Sequence, residues 1–372
     1  MTRSLRVALV AEDYYPQLGG VPEHVHHLAA ELERAGHRAT VVTSHMRAED
    51  SVRMEQHRDV RRIGTSIVIY ANGGVARLTA GWRLTARFEQ LFRSEQFDVV
   101  HVHGGLSPVL GIVAPWAALR AGIPVVATFH TWFPRSMGYR VLKRPMQRLL
   151  DRHAATIAVS SAARDAMARY FTAPWEIIPN GVDTTFFSPA QDKTGEPGPQ
   201  LLWLGRIEPR NDLATVLAAM PRILERHPRA QLTVVGDGPW RARLERESTV
   251  LGRAVRFTGY ANGDRPDYYR GADVYLCPTT RASFGITLLE AMACGTPLVA
   301  TDLPAFRDVA SQAHAVFAPA EDAAAWANAV NALLEDPRRR ETMTQAGRQV
   351  AERHAWPIVA QRVLEVYRRV TR

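Results

Sequence analysis

The sequence predicts an α/β fold of two doubly wound domains that face a cleft, and three observations carry this prediction. Short, continuously apolar segments of the kind found in buried parallel strands alternate with helical patterns. The alternation runs through the first half of the 372 residues and then starts again. Between the two series, the stretch 188–200 contains three prolines and two glycines, which is the composition of a linker.

The first series defines an N-terminal domain, 1–187. An amphipathic helix is predicted at 21–35, where Gly36 ends the pattern. Strands are predicted at 5–11, 39–43, 97–101, 123–129 and 155–159.

The second series defines a C-terminal domain, 201–355, after the linker 188–200. It includes a predicted helix at 213–226. A final helical pattern at 357–371 has no strand after it. Strands are predicted at 201–204, 231–235, 255–258, 273–277 and 297–300.

Composition and charge exclude several classes of protein. With 46% apolar and 22% charged residues, wholesale disorder is excluded. The two cysteines, Cys277 and Cys294, exclude a disulfide framework and fit a reducing cytoplasm. The longest apolar stretch, 106–119, is interrupted by proline and glycine and is too short to span a bilayer. The net charge of +9 favours an anionic partner, such as a phosphorylated substrate or an acidic membrane surface. Nucleic acid is not expected, because no RNA-binding motif is present.

Small residues precede two predicted helices at points where strands end. Open α/β sheets bind ligands at the carboxyl ends of their strands. Gly19 and Gly20 lie before the first helix, where glycine lets a phosphate approach the helix N-terminus. A plain tight turn is the alternative. A second loop before a helix contains Ser283, Phe284, Gly285 and Ile286. Glu290 follows inside an apolar run, where a carboxylate can bridge two vicinal hydroxyls such as those of ribose.

Charged and imidazole side chains follow other strands. Arg206 lies where the first strand of the second series ends, and an arginine can bind a diphosphate in a bidentate manner. A surface ion pair with Glu208 is the alternative. His130, in the run Thr128–Phe129–His130–Thr131, is expected either to contact a substrate or to serve as a structural histidine.

Other histidines are not expected to bind metal. His101 and His103 share one strand face, but no third ligand is evident at a useful spacing. His24, His26 and His27 fall in the first helix, where solvated or capping roles are favoured.

Two segments combine basic and apolar residues, as helices on acidic lipid headgroups do. The segment 135–152 has six basic residues against one acidic residue, and 77–93 is similar. A core helix with a solvated basic face is the alternative.

Together these motifs resemble the family 4 retaining glycosyltransferases of GT-B fold, which consist of two Rossmann-like domains. The resemblance covers nearly the whole chain and is nearest to bacterial phosphatidylinositol mannosyltransferases. Besides the Gly19–Gly20 and Thr128–Thr131 runs, it rests on the segments 178–183, 204–206, 234–239 and 283–293, with 70–78 and 300–307 supporting the subfamily.

The resemblance implies roles for individual residues. The Gly20 loop and Arg206 would hold the donor diphosphate, while the backbone at Phe284, Gly285 and Ile286 would hold phosphate and sugar. Glu290 would bind the ribose hydroxyls, and His130 would lie against the transferred sugar, so that His130, Arg206 and Glu290 form the catalytic set.

The resemblance also implies that no metal is required and that the C-terminal helix, 356–372, joins the N-terminal, acceptor-binding domain. The sequence departs from the family at two positions. Ala282 stands where the family has the first of two glutamates. Asn211 stands where it has a lysine, although Arg210 is adjacent.

The expected function is transfer of a hexose, with mannose as the candidate, from a GDP- or UDP-linked sugar to a lipid or glycan acceptor without another cofactor. The expected location is the cytoplasm, with peripheral contact to the inner face of the plasma membrane. Two alternatives stay open. One is a degenerate member that binds a nucleotide or a partner without efficient turnover. The other is a soluble enzyme that glycosylates small molecules.

Overall fold

The computed structural model describes residues 3–16, 19–45, 59–71, 74–190, 198–261 and 263–372. The chain divides into two compact units: unit 1 is Met1–Gly181 with Trp356–Arg372, and unit 2 is Val182–Ala355. The boundary falls six residues before the expected 187/188, because Val182 and Phe187 pack into the apolar core of unit 2. Part of the expected linker, 191–197, lies outside the described residues.

Unit 1 is built on an eight-stranded sheet in the order β4-β3-β2-β1-β5-β6-β7-β8. All neighbours pair in parallel except β3 and β4, which form an antiparallel pair. The strands are β1 (Arg6–Ala11), β2 (Arg38–His45), β3 (Val60–Ala71), β4 (Gly74–Ala80), β5 (Val99–His103), β6 (Val125–Phe129), β7 (Ala155–Ala158) and β8 (Trp175–Ile177).

Helices cover both faces of this sheet. Alternate residues of β1 point to opposite faces: Val7 and Leu9 belong to one apolar cluster, and Ala8 and Val10 to another. The last helix of the chain packs on the same face as the first helix. The helices of unit 1 are α1 (Gly20–Arg34), α2 (Leu84–Glu95), α3 (Leu110–Arg120), α4 (Met137–Val141), α5 (Lys143–Leu150), α6 (Ser161–Ala168) and, at the end of the chain, α14 (Trp356–Val370).

Unit 2 is built on a six-stranded, wholly parallel sheet in the order β11-β10-β9-β12-β13-β14. The strands are β9 (Gln200–Leu204), β10 (Gln231–Val235), β11 (Val255–Gly259), β12 (Val274–Cys277), β13 (Leu298–Thr301) and β14 (Val316–Ala318). The helices are α7 (Leu213–Arg226), α8 (Arg241–Glu247), α9 (Arg265–Gly271), α10 (Ile286–Ala293), α11 (Pro304–Arg307), α12 (Ala323–Glu335) and α13 (Pro337–Arg353). The predicted class of two parallel-sheet α/β units is confirmed.

The strands that sequence reasoning missed are short or lie at the sheet edge. β8 and β14 have three residues each, too few to show a period. β3 and β4 form an edge pair whose Ile67 and Val68 are about half exposed, so the segment lacks the continuous apolar character of the central strands. The dipeptide Asn72-Gly73, a hairpin signal, was available in the sequence but lies outside the described residues.

Both cysteines are free and buried. Among the described residues, no helix has the length and apolar character that crossing a bilayer requires.

Candidate functional site

The Gly19–Gly20 loop gives unit 1 an open helix N-terminus. α1 starts at Gly20, and Gly19 precedes it without a side-chain cap. Both glycines are exposed, and a Cβ added at Gly20 would meet no atom of the chain within 4 Å. The first amide groups of a helix lack intrahelical acceptors and carry its positive dipole end. Neither Gly19 nor Gly20 thus has a side chain that would keep an anion from this helix N-terminus.

Three histidines from different elements meet in unit 1. His24 lies on α1, His103 ends β5, and His130 follows β6. The ring centroid of His24 is 5.2 Å from that of His103 and 4.7 Å from that of His130. His103 Nδ1 lies 3.2 Å from His130 Nε2. The structure thus brings His130 into a polar cluster, of which it is the partly exposed member.

This cluster corrects two predictions. His24 was expected to be solvated or to act as a cap, but it is buried because its helix face packs towards the ends of β5 and β6. His103 was expected to have no third ligand near it, yet one ring nitrogen from each of His24, His103 and His130 lies within 4.8 Å of the others. The partners come from elements distant in sequence, so no local spacing could reveal them.

The cluster is electrically neutral. Burial lowers the pKa of His24 to about 4, although a hydrogen bond with Asn180 opposes the shift. Burial, with repulsion from neighbouring imidazoles, also lowers the pKa values of His103 and His130 well below the usual range. Three neutral imidazoles are ligands that suit a zinc-type ion. Zn–N bonds of about 2.0–2.1 Å imply nitrogens about 3.4 Å apart, so a group spread over 4.8 Å would have to contract to hold one.

Further buried contacts fix the positions of these histidines. His24 Nδ1 lies 2.9 Å from Asn180 Oδ1. The neighbouring His101 lies between Tyr367 Oη and Thr128 Oγ1, each 2.6 Å from one of its ring nitrogens. Trp356, the first residue of α14, contacts the edge of His24 and stacks on His27. α14 therefore supports the cluster from within unit 1.

In unit 2, two exposed guanidinium groups meet one carboxylate. The loop between β9 and α7 contains Arg206 and Arg210, whose side chains are 48% and 61% exposed. Arg206 Nε lies 3.4 Å from Glu208 Oε2, and Arg210 Nε is ion-paired with Glu208 Oε1. The surface ion pair considered from the sequence is therefore present. Because both guanidiniums converge on Glu208, both can reach an anion at the same place.

Backbone contacts hold this loop at the carboxyl end of the sheet. Ile207 N donates to Asp237 O at 2.9 Å. Gly236 has a φ of +137°, and a Cβ there would lie 1.9 Å from Gly205 O, so the approach of the two loops requires glycine. Asn211 Nδ2 donates to Arg206 O at 2.7 Å. At the family's lysine position, this chain therefore has a neutral side chain that braces the arginine loop.

The second loop lies beside the first. Thr280 N donates to Arg210 O at 2.8 Å, so the segment before α10 is tied to the arginine loop. α10 starts at Ile286, with Gly285 as its N-cap residue and no side-chain cap. The first amides of α10 thus have no side-chain cap, and the segment before them is tied to the arginine loop through Thr280. Ala282 and Phe284 pack, partly buried, against the apolar core of unit 2.

Glu290 is placed differently from the exposed arginines. It is 2% exposed, accepts a hydrogen bond from Tyr269 Oη at 2.9 Å and lies 3.4 Å from Arg265 Nη1. Burial, with the nearby negative charge of Glu290, raises the pKa of Tyr269 well above its usual range. Arg265 and Tyr269, both on α9, were missed by sequence reasoning. Their contacts account for a carboxylate within the apolar run of α10, so burial of Glu290 alone does not indicate ribose.

The two basic segments, 77–93 and 135–152, differ in how far their apolar side chains are buried. α2 buries Phe88 and Phe92, as a core helix with a solvated basic face does. α5 buries Met146, Leu149 and Leu150. By contrast, Met137, Val141 and Leu142, at α4 and its junction with α5, are 70%, 71% and 46% exposed.

The chain matches known families along nearly its whole length. The family model described as Glycosyltransferase Family 4 matches residues 18–186, and that described as Glycosyl transferases group 1 matches residues 186–350. The phosphatidyl-myo-inositol mannosyltransferase of Mycolicibacterium smegmatis is 34% identical over 99% of this chain and 94% of its own length. That of Mycobacterium leprae is 34% identical over 98% and 97%. A glycogen synthase of Mycobacterium tuberculosis is 28% identical over 98% and 94%.

Solved structures share the fold. A sucrose-phosphate synthase from Thermosynechococcus elongatus superposes with a TM-score of 0.78 at 22% identity, over 99% of each chain. Anabaena HepE in complex with UDP gives a TM-score of 0.78 at 18% identity, over 97% of this chain and 99% of that one. At these identities, the likeness concerns the fold alone.

Proposed function

The chain belongs to the family 4 retaining glycosyltransferases of GT-B fold, and from this membership we propose that it transfers mannose from a nucleoside diphosphate to an inositol phospholipid. Hexose transfer follows from the family. The finer choice of mannose and of an inositol lipid is supported by the names of the relatives that are 34% identical over the full chain. A GDP- or UDP-linked sugar is the proposed donor, with no further cofactor.

The observation that carries the proposal is the pair of exposed guanidiniums beside an uncapped helix N-terminus in unit 2. Arg206 and Arg210 share Glu208, and the segment before α10 is tied to their loop. A diphosphate would replace Glu208 as the partner of both cations and accept hydrogen bonds from the amides at Phe284, Gly285 and Ile286. Ser283 would line the same loop. These groups would stabilise the charge that develops on the leaving diphosphate.

In unit 1, His130 would meet the transferred hexose, and the Gly19–Gly20 loop would admit the diphosphate. Glu290 would bind the ribose, with Tyr269 and Arg265 holding its carboxylate in position. Because Tyr269 and Arg265 depend on this carboxylate, Glu290→Gln is a better probe of the ribose contact than Glu290→Ala. Removing one member of a buried ion pair costs about 3–5 kcal/mol of stability.

The acceptor is proposed to lie in an anionic membrane surface. Met137, Val141 and Leu142 expose apolar side chains beside the exposed basic residues Arg140, Lys143 and Arg144. None of these three basic side chains is in an ion pair within the described part of the chain. Apolar groups that enter the headgroup layer beside unneutralised cations bind acidic lipids.

Vesicle pelleting tests this surface. Wild type should pellet with anionic vesicles and not with neutral ones, and the binding should weaken with salt. Val141→Asp should lower the pelleted fraction, whereas Val250→Asp, at an 88% exposed valine of unit 2, should not. Equal pelleting with both vesicle types, or an equal effect of the two variants, would contradict the proposed surface.

The degenerate alternative is favoured by the two departures from the family. Ala282, which packs on apolar residues, stands in place of the first glutamate, and the neutral Asn211 stands in place of the lysine. An assay for transfer of labelled hexose from GDP- and UDP-sugars to phosphatidylinositol vesicles distinguishes the proposed transferase from the degenerate alternative. We expect transfer of mannose by wild type, and a loss of at least about tenfold in Arg206→Ala. The matched control is Arg226→Ala, an exposed, ion-paired arginine at the far end of α7. Nucleotide binding without transfer would favour the degenerate alternative.

A further inference from the structure

A hydrogen bond joins one ring nitrogen of His103 to one ring nitrogen of His130. His103 Nδ1 and His130 Nε2 are 3.2 Å apart, and both rings are neutral because burial disfavours their charged forms. A neutral imidazole carries one proton, on either nitrogen. Either His103 donates through Nδ1–H to His130 Nε2, or His130 donates through Nε2–H to His103 Nδ1. The two arrangements differ in what remains at the outer nitrogens.

The environment of His103 Nε2 distinguishes these arrangements. This nitrogen is buried and has no hydrogen-bond partner. If His130 donated, the proton of His103 would sit on Nε2 as a buried N–H without an acceptor, which is rare in proteins. If His103 donates, Nε2 is a bare acceptor, and no buried N–H is left unpaired.

His24 obeys the same rule. Its Nδ1 lies 2.9 Å from the side-chain oxygen Oδ1 of Asn180, so Nδ1–H donates to that oxygen, and its Nε2 is also a buried nitrogen without a partner. Each of the two fully buried rings thus uses its single proton in a hydrogen bond and leaves its bare nitrogen inside the cluster. The assignment is consistent across the cluster.

We propose that His103 is a positioning residue that fixes His130 as a hydrogen-bond donor, through Nδ1–H, towards the hexose of the bound donor. With Nε2 occupied as an acceptor, the proton of His130 must lie on Nδ1. That nitrogen has no hydrogen-bond partner among the described residues, and His130 is the partly exposed ring of the cluster. This inference rests on the proposed function for the identity of the ligand, but not for the tautomer.

A donor at this position has a definite chemical use. Nδ1–H can bond a hydroxyl or ring oxygen of the sugar, but it cannot remove a proton from the acceptor. His130 therefore orients the hexose, and deprotonation of the acceptor falls to another group. The geometry thus separates sugar positioning from base catalysis.

The tautomer can be measured without substrate. In ¹⁵N-labelled protein at pH 7.5, long-range ¹H–¹⁵N correlation of the histidine rings distinguishes a protonated Nδ1 from a protonated Nε2. His130→Gln identifies the ring by loss of its signals. Protonated Nδ1 on His130 is expected. Protonated Nε2, or a ring that exchanges equally between tautomers, would overturn the assignment.

Two substitutions at His103 test the consequence for transfer. His103→Asn can place an amide N–H where Nδ1–H stood, whereas His103→Leu fills the space without a donor. We expect His103→Leu to lower kcat about tenfold with little change in the KM for the nucleotide sugar, and His103→Asn to recover most of the loss. Equal losses in the two variants, with both folded by circular dichroism, would overturn the positioning role.

Failure of the proposed function would look different. A wild-type protein that transfers no hexose from any nucleotide sugar would refute the function and the sugar as the ligand of His130. The nuclear magnetic resonance result would still report the tautomer. Normal transfer by wild type and by His103→Leu would refute only the positioning role.

Discussion

The histidine cluster of unit 1 is enclosed, whereas the two arginines of the loop between β9 and α7 in unit 2 face solvent. His24 and His103 are fully enclosed, neutral and held by hydrogen bonds. Arg206 and Arg210 are about half exposed and held by one shared carboxylate. A neutral, enclosed cluster fixes the direction of a hydrogen bond. Exposed guanidiniums can instead bind an anionic ligand that replaces Glu208 as their partner. Under the proposed function, the arginine loop would therefore bind the diphosphate and His130 would orient the hexose.

The comparison implies that substitutions in the cluster affect the stability of unit 1. Trp356→Ala should lower the free energy of unfolding of unit 1 by about 3–5 kcal/mol, because the indole is 3% exposed and packs on His24 and His27. Hydrogen exchange read by mass spectrometry should show lost protection in unit 1 and little change in unit 2. An equal loss of protection in both units would contradict the claim that the cluster stabilises unit 1 in particular.

The arginine loop should depend on backbone packing instead. Gly236→Ala should destabilise unit 2 by about 2 kcal/mol or more and weaken nucleotide binding, because its Cβ would collide with Gly205 O next to Arg206. Gly271→Ala is the matched control, since a Cβ there meets nothing within 4 Å. The measurements are urea unfolding and calorimetric titration with GDP and UDP. If both glycine variants behaved alike, the loop would not require the close approach.

Acid should weaken the cluster. Burial lowers the pKa of His24 to about 4 in the folded chain, against the usual 6.5 of a free imidazole. Below pH 6.5, His24 therefore binds a proton in the unfolded chain but stays neutral in the folded chain. The free energy of unfolding falls as the pH falls towards 4. His101, with a pKa of about 3, and the neutral His103 and His130 act in the same direction. Asp13, whose pKa burial raises to about 6, acts in the opposite direction.

The expected loss from His24 alone between pH 7.5 and 5.5 is on the order of 1 kcal/mol. It is read as the difference in urea unfolding between wild type and His24→Gln at the two pH values. The variant should lose less stability on acidification than wild type. An identical pH dependence in the two proteins would mean that His24 is not held neutral by burial.

Sequence reasoning reached the central strands of both sheets and the loops that follow them. Segments such as 231–235 are largely apolar because both faces of a parallel sheet are covered. Such a strand can therefore be recognised from its own few residues. The edge pair β3–β4 was missed because it lies at the edge of the sheet, where Ile67 and Val68 are about half exposed and the pattern is not continuously apolar.

Sequence reasoning proposes candidate site residues where a loop motif follows a strand, as with Arg206 and Gly285, and their roles stay predictions. Their partners could not be predicted. Asn180 is 156 positions from His24, and Arg265 is 25 positions from Glu290 on another helix. Such contacts depend on the order of strands in the sheet, which no local spacing encodes.

The most direct test of the division between the units is calorimetric titration of the nucleoside diphosphate into wild type, Arg206→Ala and His130→Ala. If unit 2 supplies the charge and unit 1 orients the sugar, Arg206→Ala should weaken binding at least about tenfold. His130→Ala should bind the diphosphate within about twofold of wild type, because that ligand has no hexose for His130 to contact. A large loss in His130→Ala, with unchanged affinity in Arg206→Ala, would contradict the account.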